Sequence, residues 1–337
     1  MEGRAEKARK AGVPKPKVGQ RQLFDPKELT ERKAALADLT GDNLKAMLKA
    51  LEKLEAAGPF RDVATAPPPS ALDSLKSDFP NFSAVTETIQ KHLILSRLGA
   101  EQLLKIPAIL VNGPPGIGKT AYCSRLAGLL GVRFEQIDLS TGGANFSMTG
   151  LDSGYSSGHP GRIWQSLQHD SLSVLWQLDE VEKCTSDGRY GGNQYLLGLL
   201  EPSSAQRFID NSTLLPLNAS WIFYIATSND KAAIDGPLRS RFHVFDIEAP
   251  KGRELHAVVH SIHRSILQTE PWAKHFEADL GEELTEILSG LSPREIRRSL
   301  VDAFANAALA QRTHLLAVDV QSQQKGSSLD SRRIGFL

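Results

Sequence analysis

Eight residues, Gly113-Pro114-Pro115-Gly116-Ile117-Gly118-Lys119-Thr120, constrain this chain more than any other stretch. They follow an apolar run, residues 108–112, and open a helical pattern, so the glycine-rich segment is the turn between a buried strand and a helix. Glycines let a backbone close tightly around an anion, and successive amides with the positive end of a helix dipole then face it. Such a loop holds phosphate. Lys119 reaches the β- and γ-phosphates of a nucleotide, and the Thr120 hydroxyl offers a ligand to magnesium.

From Ala84 onward, helical periodicity alternates with short apolar runs, the pattern of an α/β domain with a largely parallel sheet. Strands are expected at residues 108–112, 133–138, 173–178, 221–226 and 243–247. The third ends in Asp179-Glu180. Asp179, beside the phosphate loop, is suited to hold magnesium, and Glu180 to polarise the water that attacks the γ-phosphate. The fourth delivers Thr227-Ser228-Asn229 to the same edge, where Asn229 either orients that water or serves as a turn or cap residue. Arg239 and Arg241 precede the last strand and are placed to face an adjacent subunit. Ser292-Pro293-Arg294-Glu295 starts a later helix, from which Arg294 can reach over the phosphates.

The flanks divide the chain further. Residues 1–23 hold seven Lys or Arg against two Glu, a local charge of +5, and residues 1–24 read as a loose basic arm. Asp25-Pro26-Lys27-Glu28 has capping-box spacing. A second helix from Asp42 carries Leu44, Met47, Leu48, Leu51 and Leu54 on one stripe, best suited to core packing. Residues 25–75 therefore form a helical hairpin that ends in the proline-rich linker of Pro67-Pro68-Pro69. Residues 76–250 are the nucleotide-binding domain, 251–320 a helical lid and 321–337 a flexible tail. Overall, 39 Lys plus Arg balance 39 Asp plus Glu. No apolar run approaches the roughly 18 residues of a membrane span, and no leader follows the first charges, so a cytoplasmic protein without membrane partners is expected. Two cysteines, Cys123 and Cys184, are expected as reduced thiols. His256, His260 and His263 lack the acidic partner of a helical zinc motif and read as lid surface or packing.

With these motifs in place, the chain resembles an AAA+ ATPase, and within that class the ATPase module of Lon proteases. Gly113 to Thr120 is similar to the Lon phosphate loop. Residues 195–202, Phe208-Ile209-Asp210 and Phe223-Tyr224-Ile225-Ala226-Thr227 resemble its core, and residues 154–163 its pore-loop region. The resemblance runs from about Phe82 to Val320. It implies a five-stranded parallel sheet with a small helical lid behind an N-terminal helical extension. It also implies ATP and Mg2+ as ligands, Asn229 and Arg294 as sensors of nucleotide state, and Arg241 as a finger reaching a neighbour's ATP, with Arg239 a second contact. Tyr155 would be the pore-loop aromatic that grips polypeptide.

Only 43 residues follow Arg294, too few for Lon's peptidase domain, so no proteolytic activity is expected of this chain. Its last residues, Ile334-Gly335-Phe336-Leu337, are similar to a peptidase-docking element or form a frayed end. The leading expectation is a homo-oligomeric ring, a hexamer, that hydrolyses ATP at subunit interfaces and remodels protein substrates through a central pore. The alternatives are a nucleic-acid motor or loader that uses the basic arm, and an ATP-dependent switch in a partner complex.

Overall fold

The structure is a computed structural model and describes residues 15–37, 42–140, 144–152, 158–184 and 194–320. In chain order its strands are β1 (Gln20–Gln22), β2 (Phe60–Asp62), β3 (Ile109–Asn112), β4 (Arg133–Asp138), β5 (Val174–Asp179), β6 (Phe208–Ile209), β7 (Pro216–Leu217), β8 (Ile222–Ser228) and β9 (His243–Asp246). Five of them form a sheet in the order β4-β5-β8-β3-β9, every neighbouring pair parallel. This is the expected fold.

A sheet covered on both faces needs strands that are apolar at consecutive positions, and β5 and β8 have that pattern. Alternation then divides the side chains between two cores. Val174, Trp176 and Leu178 join Leu110 and Tyr224 on one side, while Leu175, Ile109, Val111 and Ile225 pack on the other with the helices Ser83–Leu98 and Lys119–Leu130. β5 and β8 run one and two residues further than the apolar pattern suggests. The ladder continues through their polar ends, with Asp138 opposite Asp179 and Asn112 opposite Ser228. Hydropathy does not register those residues, yet their backbone groups still need partners.

The N-terminal extension is built onto the first of these cores. Asp25 caps the helix Pro26–Ala37 through the Lys27 amide at 2.9 Å, and Met47, Leu51 and Leu54 of the helix Asp42–Ala56 are buried with the sheet's residues. Two expectations need correction here. The arm is not loose to residue 24: Gln20–Gln22 pairs antiparallel with Phe60–Asp62, and Leu23 and Phe24 are buried. Two apolar residues in a basic run are too few to make a periodic signal. The proline-rich segment is not a mere linker either, because Ala66 just before the prolines and Leu72 and Leu75 just after them lie in the second core.

Beyond Pro250 the helices Arg253–Thr269, Glu282–Leu288 and Pro293–Leu309 enclose a core of their own, including Val259, Ile266, Leu284, Leu300 and Phe304. Of the three lid histidines, His263 is buried and stacked on Phe304, and burial pushes its pKa down to about 4. His256 instead pairs with Glu286 at 3.1 Å. Asp78, nearly buried, ties the lid to the sheet domain by pairing with Arg264 at 2.9 Å and Arg125 at 3.8 Å. The tail, residues 321–337, lies outside the described residues. No helix among the described residues is long and apolar enough to cross a membrane.

Candidate functional site

The phosphate loop leaves β3 with Gly116 at φ +83° and Gly118 at φ +99°, left-handed values that strain any L side chain. Gly113 is fixed for a different reason: a Cβ there would lie 2.3 Å from the Ile247 carbonyl oxygen. Gly118 caps the helix Lys119–Leu130, so the first amides of that helix open toward the loop. Lys119 Nζ donates to Gly113 O at 2.6 Å, Pro114 O at 3.3 Å, Ser228 O at 3.2 Å and Asn229 Oδ1 at 2.9 Å. Burial lowers the pKa of this ammonium, and the charges of Asp179, Glu182 and Glu180 oppose that shift.

Opposite the loop, a network of neutral side chains holds the strand ends. The Thr227 hydroxyl donates to Asp179 Oδ1, and Gln136 Nε2 donates to Asp179 Oδ2 at 3.1 Å. Gln177 Nε2 donates to Thr120 Oγ1 at 2.9 Å. A hydroxyl and a carboxylate, both oxygen donors, suit a small hard divalent cation such as magnesium. After Asp179 the chain takes a left-handed turn at Glu180, φ +55°, a conformation that costs a residue other than glycine about 1–2 kcal/mol. Glu180 pairs with Lys183 at 2.5 Å in a half-exposed contact.

Asn229 lies at the end of β8, with its side chain on Lys119 and its amide donating to Glu182 Oε1 at 3.0 Å. The capping role offered as the alternative for Asn229 belongs to Asp230, whose carboxylate accepts from the Ala232 amide. In the lid, Ser292 and Glu295 complete a capping box that starts the helix Pro293–Leu309. Arg294 stands on its first turn, and a Cβ added at Gly116 would be 3.8 Å from Arg294 Cβ. A cavity of about 670 Å³ lies between the loop and the lid. It is lined by Pro115 to Ala121, Asp179, Glu180, Thr227 to Asn229, Phe79, Val258, Ile262, Arg294, Arg297 and Arg298. That volume suits a nucleotide-sized ligand.

Arg239 and Arg241 are not among the cavity's described lining residues. Arg239 Nη1 donates to Lys231 O at 3.1 Å, and Arg241 pairs with Glu201 at 2.8 Å on the surface. Tyr155 lies outside the described residues. At the base of its segment, Leu151 and His159 exchange backbone hydrogen bonds, and buried Asp210 accepts from the Gly161, Ser212 and Thr213 amides. Burial pushes the Asp210 pKa up, and those amides oppose the shift.

Gln136, Gln177 and Glu182 are not singled out by the sequence, and Asp210 enters only within the stretch Phe208-Ile209-Asp210 that carries the resemblance, without a role. Each is a single polar residue whose partner is distant in sequence or supplied by a turn, and of the first three only Glu182, clustered with Asp179 and Glu180, gives a signal.

Residues 109–249 match the family model described as the ATPase family associated with various cellular activities (AAA). Lon protease 1 of Bacillus subtilis is 32% identical over 174 residues, which are 51% of this chain and 22% of that protein. The peroxisomal Lon protease homolog 2 of Pichia angusta is 36% identical over 148 residues, 43% of this chain and 16% of that protein. The chain thus spans well under half the length of these relatives. A solved structure of the Thermotoga maritima RuvB Holliday junction branch migration motor overlaps 72% of this chain and 68% of its own, at 15% identity and a TM-score of 0.46.

Proposed function

We propose that this chain, an AAA+ ATPase resembling the ATPase module of Lon, binds ATP with Mg2+ between Lys119 and the lid and hydrolyses it at the interfaces of a homo-oligomeric ring, a hexamer. The observation that carries this reading is one cavity shared by the phosphate loop, Asp179, Glu180, Asn229 and Arg294. The amides of Gly116 to Thr120 and the Lys119 ammonium bind the β- and γ-phosphates, while Gly113, Pro114 and Pro115 shape the loop that presents them. Thr120 and Asp179 hold the divalent cation, which when bound neutralises charge on the phosphate oxygens.

Glu180 takes the proton of the attacking water, while Asn229 orients that water from its place beside Lys119. Arg294, on the first turn of a lid helix, makes the lid's position depend on whether a γ-phosphate is present. Arg241, with Arg239 beside it, acts on the triphosphate of the next subunit and stabilises charge in the transition state. The work done is remodelling of a protein substrate by Tyr155 in a central pore.

Glu180→Gln tests the reading. The variant is expected to bind ATP, retain its assembly and hold its client, so that the captured molecule can be identified directly. Captured polypeptide supports remodelling, whereas capture of DNA, together with DNA-stimulated hydrolysis by the parent, replaces it with a nucleic-acid motor that uses the basic arm. Failure of the parent to turn over ATP at any protein concentration contradicts the enzymatic reading.

A further inference from the structure

Gln177 occupies a place where the pattern calls for an apolar side chain. Its strand, β5, is buried almost throughout, and Leu175, two residues earlier on the same face, belongs to the apolar layer beside the helix Lys119–Leu130. Gln177 is 0% exposed. One amide N–H goes to Thr120 Oγ1 at 2.9 Å, and the buried Oε1 has no hydrogen-bond partner among the described residues. An apolar side chain of the same volume would fill the space without leaving an acceptor unsatisfied. The contact that Gln177 does make is with one of the two oxygen ligands assigned to the cation. The other, Asp179, stands two residues further along the same face of the same strand.

We propose that Gln177 is a positioning residue that holds the Thr120 hydroxyl ready for the divalent cation of the bound nucleotide. The proposal rests on the ATP and magnesium reading of the site. Thr120 stands on the first turn of its helix, where its hydroxyl can rotate between staggered positions, some of which aim the oxygen away from the cation. The Gln177 hydrogen bond opposes that rotation. It uses one hydroxyl lone pair and leaves the second for the metal. One rigid strand therefore sets both ligands, Asp179 by covalent connection and Thr120 through the amide. Ordering a ligand before the cation arrives raises affinity for the cation, and loss of such an outer partner typically weakens metal binding about 10- to 100-fold.

Gln177→Met, which nearly conserves volume, separates this role from packing. With the full chain at saturating fluorescent ATP analogue, the MgCl2 midpoint is expected to rise about tenfold. Analogue affinity in EDTA should change by less than about twofold, because the phosphate contacts of the loop are untouched. Binding of Mn2+ to the nucleotide complex, followed by electron paramagnetic resonance, should weaken in parallel. Thr120→Val should also raise the midpoint, and adding Gln177→Met to it should bring no further loss. Gln177→Leu provides a second variant if the first does not fold. An unchanged Mg2+ midpoint in a folded Gln177 variant, or fully additive losses in the double variant, overturns the proposal. Absence of analogue binding by the parent chain overturns the nucleotide reading itself, and the proposal with it.

Discussion

The strand-end cluster around Asp179 and the turn that carries Arg239 and Arg241 contribute to the same proposed chemistry but are held in opposite ways. Asp179 is fixed by Thr227 and Gln136, Thr120 by buried Gln177, and Asn229 by both Lys119 and Glu182. Arg241 has a half-exposed pair with Glu201, and Arg239 a single backbone carbonyl. Gln177 and Thr227 are buried donors, and their hydrogen bonds fix geometry because their loss strands polar groups away from water. An exposed ion pair contributes little and is easily exchanged. The difference teaches that residues proposed to act within the chain are set in advance, whereas those proposed to act on a neighbour are held loosely enough to change partners.

Four substitutions probe that contrast, beginning with the largest effect. Arg241→Ala should reduce hydrolysis in the assembled protein by about 10³-fold or more, as measured by phosphate release, without weakening ATP binding. Parental turnover in that variant would remove the neighbour-facing role from the turn. Glu180→Gln should slow single-turnover hydrolysis by about 10²-fold or more with nucleotide affinity kept, since only the proton acceptor is lost. Equal rates for parent and variant would place the base elsewhere.

The next two compare the holding forces directly. Thr227→Val removes a donor from Asp179 in a buried setting and should cost about 1–2 kcal/mol in urea unfolding of the sheet domain. Glu201→Ala, which frees Arg241, should cost less than about 0.5 kcal/mol by the same measurement. Reversal of that order would show that the turn, not the strand-end cluster, is the more firmly held region.

Legibility in the sequence follows the same division between local and distant causes. The phosphate loop could be read because its glycines, lysine and threonine act within eight consecutive residues, between a strand and a helix. Asp179 and Glu180 could be read because they end an apolar run. The parallel sheet was evident from alternating strand and helix patterns, apart from the polar ends of β5 and β8. Gln136 and Gln177 carry no local signature and Glu182 only its nearness to Asp179 and Glu180, since each acquires its role from a partner brought near by strand pairing or by the turn after β5. The β1–β2 pair was hidden for a related reason: Gln20–Gln22 and Phe60–Asp62 are mostly polar, only three residues long each and separated by two helices.

The central claim is that a nucleoside triphosphate binds between the phosphate loop and the lid through Lys119. Equilibrium titration of a fluorescent ATP analogue in the presence of Mg2+, into the parent chain and Lys119→Ala, measures this directly. The account predicts saturable binding by the parent and affinity weakened about 100-fold in the variant, equivalent to roughly 2.7 kcal/mol of charge-assisted contact. No saturation by the parent, or equal affinity in the two proteins, would contradict it.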